Sequence, residues 1–139
     1  MFAALPLLAL PVILYNILAA ILGGFHAVDA AGRLGAPLFS VQTASHTRWE
    51  VSLSDLLLTV ALVVLFVELL KSAASHQAAI VNHSLSMILF VVCLVEFLLF
   101  PAFATSTFFL ISLMVLLDVT AGFIVTLVAS RREAGFRNT

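Results

Sequence analysis

Charged residues are scarce in this chain, and cysteine is almost absent. Only 9% of the 139 residues are Asp, Glu, Lys or Arg, whereas 63% are hydrophobic. A typical soluble domain has about 25% charged and about 45–50% apolar residues, and a water-soluble fold of this size cannot bury so much apolar surface. The net charge of −1 excludes a basic surface for nucleic acid. The single cysteine, Cys93, excludes an internal disulfide and a cysteine-based zinc site.

Four apolar stretches, each long enough to cross a bilayer, occupy most of the chain. A membrane-spanning helix needs about 20 mostly apolar residues. The sequence therefore predicts an all-α integral membrane protein, a single domain of four antiparallel transmembrane helices at about 3–23, 53–71, 80–100 and 105–130, with an outer loop at 25–51. The first stretch can alternatively be read as a cleaved secretory signal. It has no basic residue before it and exceeds the usual apolar length of about 7–15 residues, which favours a membrane span.

Local signals mark the ends of these predicted helices. Ser52, followed by Asp55, fits a capping box at the start of the second helix. A short connection over 72–79 leads to the third helix, which Pro101 should close. Thr105 or Ser106 can cap the fourth helix.

The outer loop has the pattern of a short β-hairpin. Leu38–Thr43 and Arg48–Leu53 partly alternate apolar and polar residues, and the four residues between them can turn. An isolated hairpin is only marginally stable, so this one should rest on the helices or on a partner. Trp49, the only tryptophan, is expected to anchor the chain at the membrane interface.

The distribution of basic residues predicts the orientation. The side that holds both termini carries four basic residues, and the other side carries Arg33 and Arg48. The four are Lys71, Arg131, Arg132 and Arg137. The positive-inside rule then places both termini in the cytoplasm. We expect a multi-pass protein of a cell inner membrane, with Lys71, Arg131 and Arg132 as further interface anchors and the last three arginines in a polar tail.

Seven polar residues at predicted membrane depth are candidate site residues: Glu68, Asn82, His83, Ser86, Cys93, Glu96 and Asp118. Ionisable groups are costly at that depth and usually face protein or a cavity. Asp118, near the middle of the fourth helix, shares a helix face with four small residues, Ala121, Gly122, Val125 and Ala129. Such a stripe lets another helix approach closely. We interpret Asp118 as a buried packing residue, with a proton- or cation-handling carboxylate as the alternative.

Two groups of these residues should act together. Asn82, Ser86, Cys93 and Glu96 fall on one stripe of the third helix, where we expect hydrogen bonds between helices or, alternatively, a narrow hydrophilic path. Glu68, Lys71 and His83 are predicted to meet at the cytoplasmic end of the second and third helices. That cluster would be a topology anchor or, alternatively, a proton entry or a contact with a partner or a lipid headgroup.

The sequence predicts no cofactor and no metal site. A haem between helices needs histidines that face each other in the membrane, and only His83 lies near membrane depth. Zinc ligation by His26, His46, Asp29 and Glu50 lacks a ligand-spacing motif. Cys93 is predicted to be a packing residue, because a buried thiol far from cations is inert.

Three functional classes follow from these features. The leading hypothesis is an accessory or structural subunit, or a homo-oligomeric interaction protein, whose partners are the lipid bilayer and another membrane protein or a second copy. The alternative is a small proton- or cation-coupled transporter or channel that uses Asp118, Glu96 and Glu68. An enzyme acting on lipid or quinone near Glu68 and His83 is the third hypothesis, although no nucleophile is recognisable there.

Overall fold

The structure is a computed structural model that describes residues 5–74 and 76–137, including their side chains except at 73–80 and 136–137. The fold is mostly helical (73%), with one small β-hairpin. The elements in chain order are α1 (Ala9–Ile21), α2 (Ala30–Leu34), β1 (Pro37–Gln42), β2 (Arg48–Ser52), α3 (Leu53–Ala74), α4 (His76–Leu99), a 3₁₀ turn (Pro101–Phe103) and α5 (Ser106–Arg137).

Three helices are long and apolar enough to cross a membrane. The qualifying segments are Leu53–Ser72 of α3, Val81–Leu99 of α4 and Ser106–Gly135 of α5. These correspond to the second, third and fourth predicted spans. In the described part of the chain, the first predicted span contains only the 13-residue helix α1.

Helix α1 is shorter than predicted because its start lies beyond Pro6. The regular helix begins at Ala9 and holds Pro11 at its third position, where the missing proline N–H removes no intrahelical hydrogen bond. The helix ends at Ile21, and positive φ angles at Gly23 (140°) and Gly24 (84°) then reverse the chain. Residues with side chains rarely adopt such angles.

The segment around α1 nevertheless runs the length of the bundle. At its beginning, the Leu7 amide donates to Glu68 near the end of α3 (2.7 Å). At its far side, the Phe25 carbonyl accepts from the Ala102 amide (3.2 Å), in the turn between α4 and α5. Helix α5 packs against both α3 and α4, and α1 packs mainly against α3.

Several polar side chains are buried inside the bundle beside its apolar core, whereas many large apolar side chains are exposed. Glu68 and Ser86 are completely buried and Asp118 is 3% exposed, whereas Leu98 is 68% exposed and Phe66 is 63% exposed. Large continuous apolar surfaces are rare on soluble monomers and mark contact with lipid or protein. This distribution is consistent with a membrane protein.

The predicted capping signals are confirmed. The Ser52 amide donates to Asp55 Oδ2 (2.9 Å), and the Asp55 amide donates to Ser52 Oγ (3.2 Å), which is the reciprocal pair of a capping box. Helix α4 ends at Leu99, before Pro101. Thr105 Oγ1 accepts from the Phe108 amide (3.1 Å) at the start of α5.

Two helices continue beyond the predicted spans. Helix α3 continues to Ala74 and α4 begins at His76, so the predicted connection over 72–79 is largely helical. Helix α5 continues to Arg137, so Arg131 and Arg132 of the predicted polar tail lie on its exposed final turns. Alanine, arginine and glutamate favour helices even where they are solvated, which explains both extensions.

The predicted hairpin is present, and it follows a short helix, α2, that was not predicted. Strands β1 and β2 are antiparallel, with Val41 opposite Trp49 and Ser40 opposite Glu50. The Thr43 amide bonds to the Thr47 carbonyl to close the turn (3.0 Å). Strand β2 leads directly into α3, and the hairpin is buried only at Val51 and Ser52. The hairpin is therefore buried against the bundle at its base, and Trp49 lines a groove beside α3 and α5.

Candidate functional site

The buried carboxylate of Glu68 is the centre of a network that joins three segments. It accepts hydrogen bonds from the Leu7 amide (2.7 Å) and from the Asn82 side-chain amide, and Lys71 Nζ lies 3.4 Å from Oε1. Lys71 also donates to the Leu5 carbonyl (2.7 Å) and to Asn82 Oδ1 (3.3 Å). A buried charge needs such compensation from an ion pair and hydrogen bonds. The network ties the chain before α1 to α3 and α4.

The predicted contact between Glu68 and Lys71 is confirmed, but the residue from α4 that joins them is Asn82 rather than His83. The His83 imidazole instead lies against the backbone of α5. A Cβ built on Gly122 would be 2.6 Å from His83 Nδ1. Asn82 and His83 are adjacent and therefore point about 100° apart on a helix. Asn82 therefore bonds to Glu68 of α3, whereas His83 is directed at α5.

Asp118 faces protein, as the small-residue stripe predicts. It is 3% exposed, and the Ser86 hydroxyl donates a hydrogen bond of 2.7 Å to its Oδ2. The side chains of Glu68, His83 and Lys71 are close enough to influence it electrostatically. One helical turn beyond Asp118, Gly122 receives the His83 ring. The pairs Asp118–Ser86 and Gly122–His83 are thus successive contacts of α4 with α5.

The polar stripe on α4 contacts all three of the other long helical segments. Asn82 bonds to Glu68 of α3 and Ser86 bonds to Asp118 of α5. Glu96, which is half-buried, accepts from Asn16 Nδ2 of α1 (3.3 Å). Cys93 lies fully buried in the apolar core between Ser86 and Glu96. This arrangement has the geometry of interhelical hydrogen bonding.

Two polar groups of α1 were not recognised as site residues. The Tyr15 hydroxyl donates to the Ala102 carbonyl (2.9 Å) and shares a hydrogen bond of 2.6 Å with Thr105 Oγ1. Asn16, next to it, reaches Glu96. The available signal was their position, since polar residues within an apolar span usually pair with another helix.

The loop and interface residues lie at the surface. Asp29 and Arg33 form an exposed ion pair (2.8 Å), and the Arg33 guanidinium hydrogen bond holds the pKa of Asp29 below its usual 3.8. Trp49 is 57% exposed on β2. His46 has a positive φ of 60° in the hairpin turn, and the ring of His26 packs near Phe100 (centroids 6.0 Å apart).

Within residues 5–74 and 76–137, no group of three or more His, Cys, Asp or Glu side chains is arranged to hold a metal ion. The grooves described are mainly apolar. One of about 280 Å³ lies between α1 and α3 beside Leu14, Leu18 and Leu57.

Comparison with known protein families, curated proteins and solved structures finds no match to this chain.

Proposed function

We propose that this chain spans a membrane four times and acts as an interaction protein there, either as an accessory subunit of a larger complex or as a homo-oligomer. The observation that carries the proposal is the inverted distribution of polarity. The acidic side chains of Glu68 and Asp118 are buried and paired between helices, while many leucine side chains and several phenylalanine side chains face outward. In lipid, polar groups must be satisfied inside the protein.

The course of the segment from Leu5 to Phe25 supports a fourth span. Its two ends bond to opposite ends of the bundle, at Lys71 and at Ala102. Glu68 lies 15 residues after Leu53, and Ile21 lies 14 residues after Leu7, so both stretches rise about 21–23 Å if helical. Although α1 alone is short, the whole segment covers nearly the depth that α3 covers.

The proposed location is a cell inner membrane with both termini in the cytoplasm. In the proposed four-span topology, Lys71, Arg131 and Arg132 fall on the side of both termini, and the hairpin with Arg48 falls on the other. Basic residues favour the cytoplasmic side. The exposed helical turns that hold Arg131 and Arg132 are well placed to contact headgroups or water.

Labelling of the hairpin turn and of both ends of the chain tests the number of spans. In a Cys93→Ser background, Ser45→Cys in the hairpin turn should react with an impermeant maleimide on intact spheroplasts. Gly135→Cys should react only after permeabilisation. An N-terminal epitope tag should be protected like Gly135→Cys, because an even number of spans places both termini on one side. A tag accessible together with Ser45→Cys would contradict four spans.

The interaction role is supported by two features. The buried polar residues Glu68, Ser86 and Asp118 already have partners inside the chain, which fits a structural use of these groups. The described extramembrane part is small, and its hairpin leaves Phe39 (51%), Val41 (44%) and Trp49 (57%) exposed. Successive side chains of a strand alternate between faces, so these three share one apolar face of the hairpin.

Mild-detergent purification with cross-linking tests the interaction role. We expect the parent protein to be recovered in a species larger than a monomer, and Val41→Ser with Trp49→Ser to reduce that species. Ser40→Ala and Glu50→Gln, on the opposite face of the same strands, are the matched control. Recovery of the parent solely as a cross-link-resistant monomer would contradict the proposal.

The second candidate function is proton or cation transport through Glu68, Asp118 and Glu96. The burial of Glu68 and Asp118 within electrostatic range of each other favours it. Against it, Asp118 pairs with Ser86 at the α4–α5 contact while Glu96 pairs with Asn16 of α1, about 15 Å farther along α4. Proton flux into liposomes, compared between the parent and Asp118→Asn, tests it, and equal flux would dismiss transport.

A further inference from the structure

A groove of about 290 Å³ lies between α3 and α5, beside the β-hairpin. Trp49 of β2 and Asp55 in the first turn of α3 form its polar end. The rest of its lining is mainly apolar and comes from Leu58, Leu62, Leu110 and Met114. Asp55 and Leu62 are seven residues apart on α3, so the groove extends about 10 Å along that helix from its polar end.

Asp55 gives the polar end of the groove a negative charge. Its Oδ2 accepts hydrogen bonds from the Ser52 amide (2.9 Å) and the Ser52 hydroxyl (2.6 Å), which leaves Oδ1 available. The ion pairs among the described residues are Asp29–Arg33 and Glu68–Lys71, so no basic residue of that part of the chain pairs with Asp55. The start of a helix carries only about +0.5 of an elementary charge, which one carboxylate exceeds.

The chemistry of the groove changes along its length. Trp49 is 57% exposed, so its indole can be reached from outside the protein. A carboxylate beside an accessible indole can bind an ammonium group through charge attraction and a cation–π contact. Farther along, the Thr59 hydroxyl donates to the Asp55 carbonyl of its own helix (2.7 Å), and the neighbouring side chains are apolar. This part of the groove suits a hydrocarbon chain.

We propose that this groove binds a bilayer phospholipid with an ammonium headgroup, of which phosphatidylethanolamine is the simplest example. The ammonium pairs with Asp55 beside Trp49, and one acyl chain lies along Leu58, Leu62 and Met114. Tryptophan is enriched at the level of lipid headgroups, which fits the position of the polar end. The site rests on the proposed membrane location, but it does not depend on the interaction role because it needs no second protein.

Fluorescence of Trp49, the only tryptophan of the chain, tests the site in the full-length protein. The bilayers contain equal parts of phosphatidylethanolamine and phosphatidylglycerol, and the acyl chains of one lipid at a time carry bromine, which quenches indole fluorescence. We expect brominated phosphatidylethanolamine to quench more strongly, with a preference of about two- to fivefold, the range of exposed ion pairs and cation–π contacts. Brominated diacylglycerol, which is uncharged, should also quench less, which separates attraction of the ammonium from repulsion of the anionic lipid.

Asp55→Asn should abolish the preference for phosphatidylethanolamine, because it removes the charge and keeps an oxygen that can accept from Ser52. Glu50→Gln is the matched control. It removes the same charge from the same hairpin region, but from the face of β2 opposite Trp49. The preference should therefore persist in Glu50→Gln.

Three outcomes would overturn the site. Equal quenching by all three brominated lipids in the parent would mean that lipid contact is unselective, and this comparison decides the proposal even if Asp55→Asn fails to fold. A preference that persists in folded Asp55→Asn would exclude the ion pair. Absence of quenching by any lipid would mean that water or another protein covers Trp49. If the preference is present but cross-linking recovers only monomers, the site stands and the interaction role alone fails.

Discussion

The side-chain amide of Asn82 on α4 donates a hydrogen bond to the fully buried carboxylate of Glu68 on α3. Through Lys71, the same pair reaches the Leu5 carbonyl ahead of α1. A single acid thereby fixes the relative positions of three helical segments.

Replacing Glu68 should loosen the start of α1. Glu68→Leu leaves the Leu7 amide and the Asn82 amide without their acceptor, and each unsatisfied buried group costs about 1–3 kcal/mol. We expect a loss of free energy of unfolding in that range or above it, measured by steric trapping in bicelles. Glu133→Leu, an exposed acid on α5, is the control. Equal stability of the two variants would show that the Glu68 network is energetically neutral.

A methyl group at Gly122 should separate α4 from α5. The added Cβ would lie 2.6 Å from His83 Nδ1 and 3.1 Å from Cγ, and overpacking of this kind costs about 1–3 kcal/mol. Gly135→Ala is the matched control, because nothing lies within 4 Å of its Cβ position. Gly135→Ala should leave the free energy of unfolding unchanged or raise it, since alanine favours a helix by about 1 kcal/mol over glycine.

His83→Ala should rescue Gly122→Ala if the clash with the imidazole is the cause. The double variant is then expected to be more stable than the sum of the two single changes implies. Strict additivity would place the cause of the Gly122→Ala defect elsewhere.

Elements that are determined by a few adjacent residues could be predicted from the sequence. The capping box at Ser52, the hairpin strands and the end of α4 before Pro101 each follow from a few adjacent residues, and each is present in the structure. Burial of Asp118 followed from the small residues on its helix face. These features depend on periodicity and backbone chemistry.

Pairing between helices could not be derived in the same way. The choice of Asn82 over His83 as the partner of Glu68 depends on the rotation of α4, about 100° per residue. The apolar residues that flank both positions do not specify that rotation. The contact that the start of the α1 segment makes is likewise non-local, because the Leu7 amide donates to Glu68 of α3.

The loop ion pair should respond to acid. The Arg33 guanidinium donates to Asp29 and lowers the pKa of Asp29 below its usual 3.8. The contribution of the pair is therefore present above the unfolded pKa and is lost as the pH falls through the lowered value. Carboxyl NMR should place the Asp29 midpoint below 3.8, and Arg33→Gln should raise it. An unchanged midpoint in Arg33→Gln would assign the shift to another cause.

The hydrogen bond from Ser86 to Asp118 should have a modest and measurable coupling energy. Hydrogen bonds between helices in bilayers average about 0.6 kcal/mol and reach about 1.7 kcal/mol, because alternative partners remain in the unfolded state. A double-mutant cycle of Ser86→Ala with Asp118→Asn, read by unfolding in bicelles, should give a coupling within those limits.

Thr120→Ala supplies the reference for this cycle. The Thr120 hydroxyl donates to the Leu116 carbonyl of its own helix and is exposed, so its coupling to Asp118→Asn should be close to zero. A Ser86 coupling no larger than that of Thr120 would mean that the 2.7 Å contact adds nothing to the association of α4 with α5. The proximity of the two helices would then depend on apolar packing and on the fit of His83 against Gly122 alone.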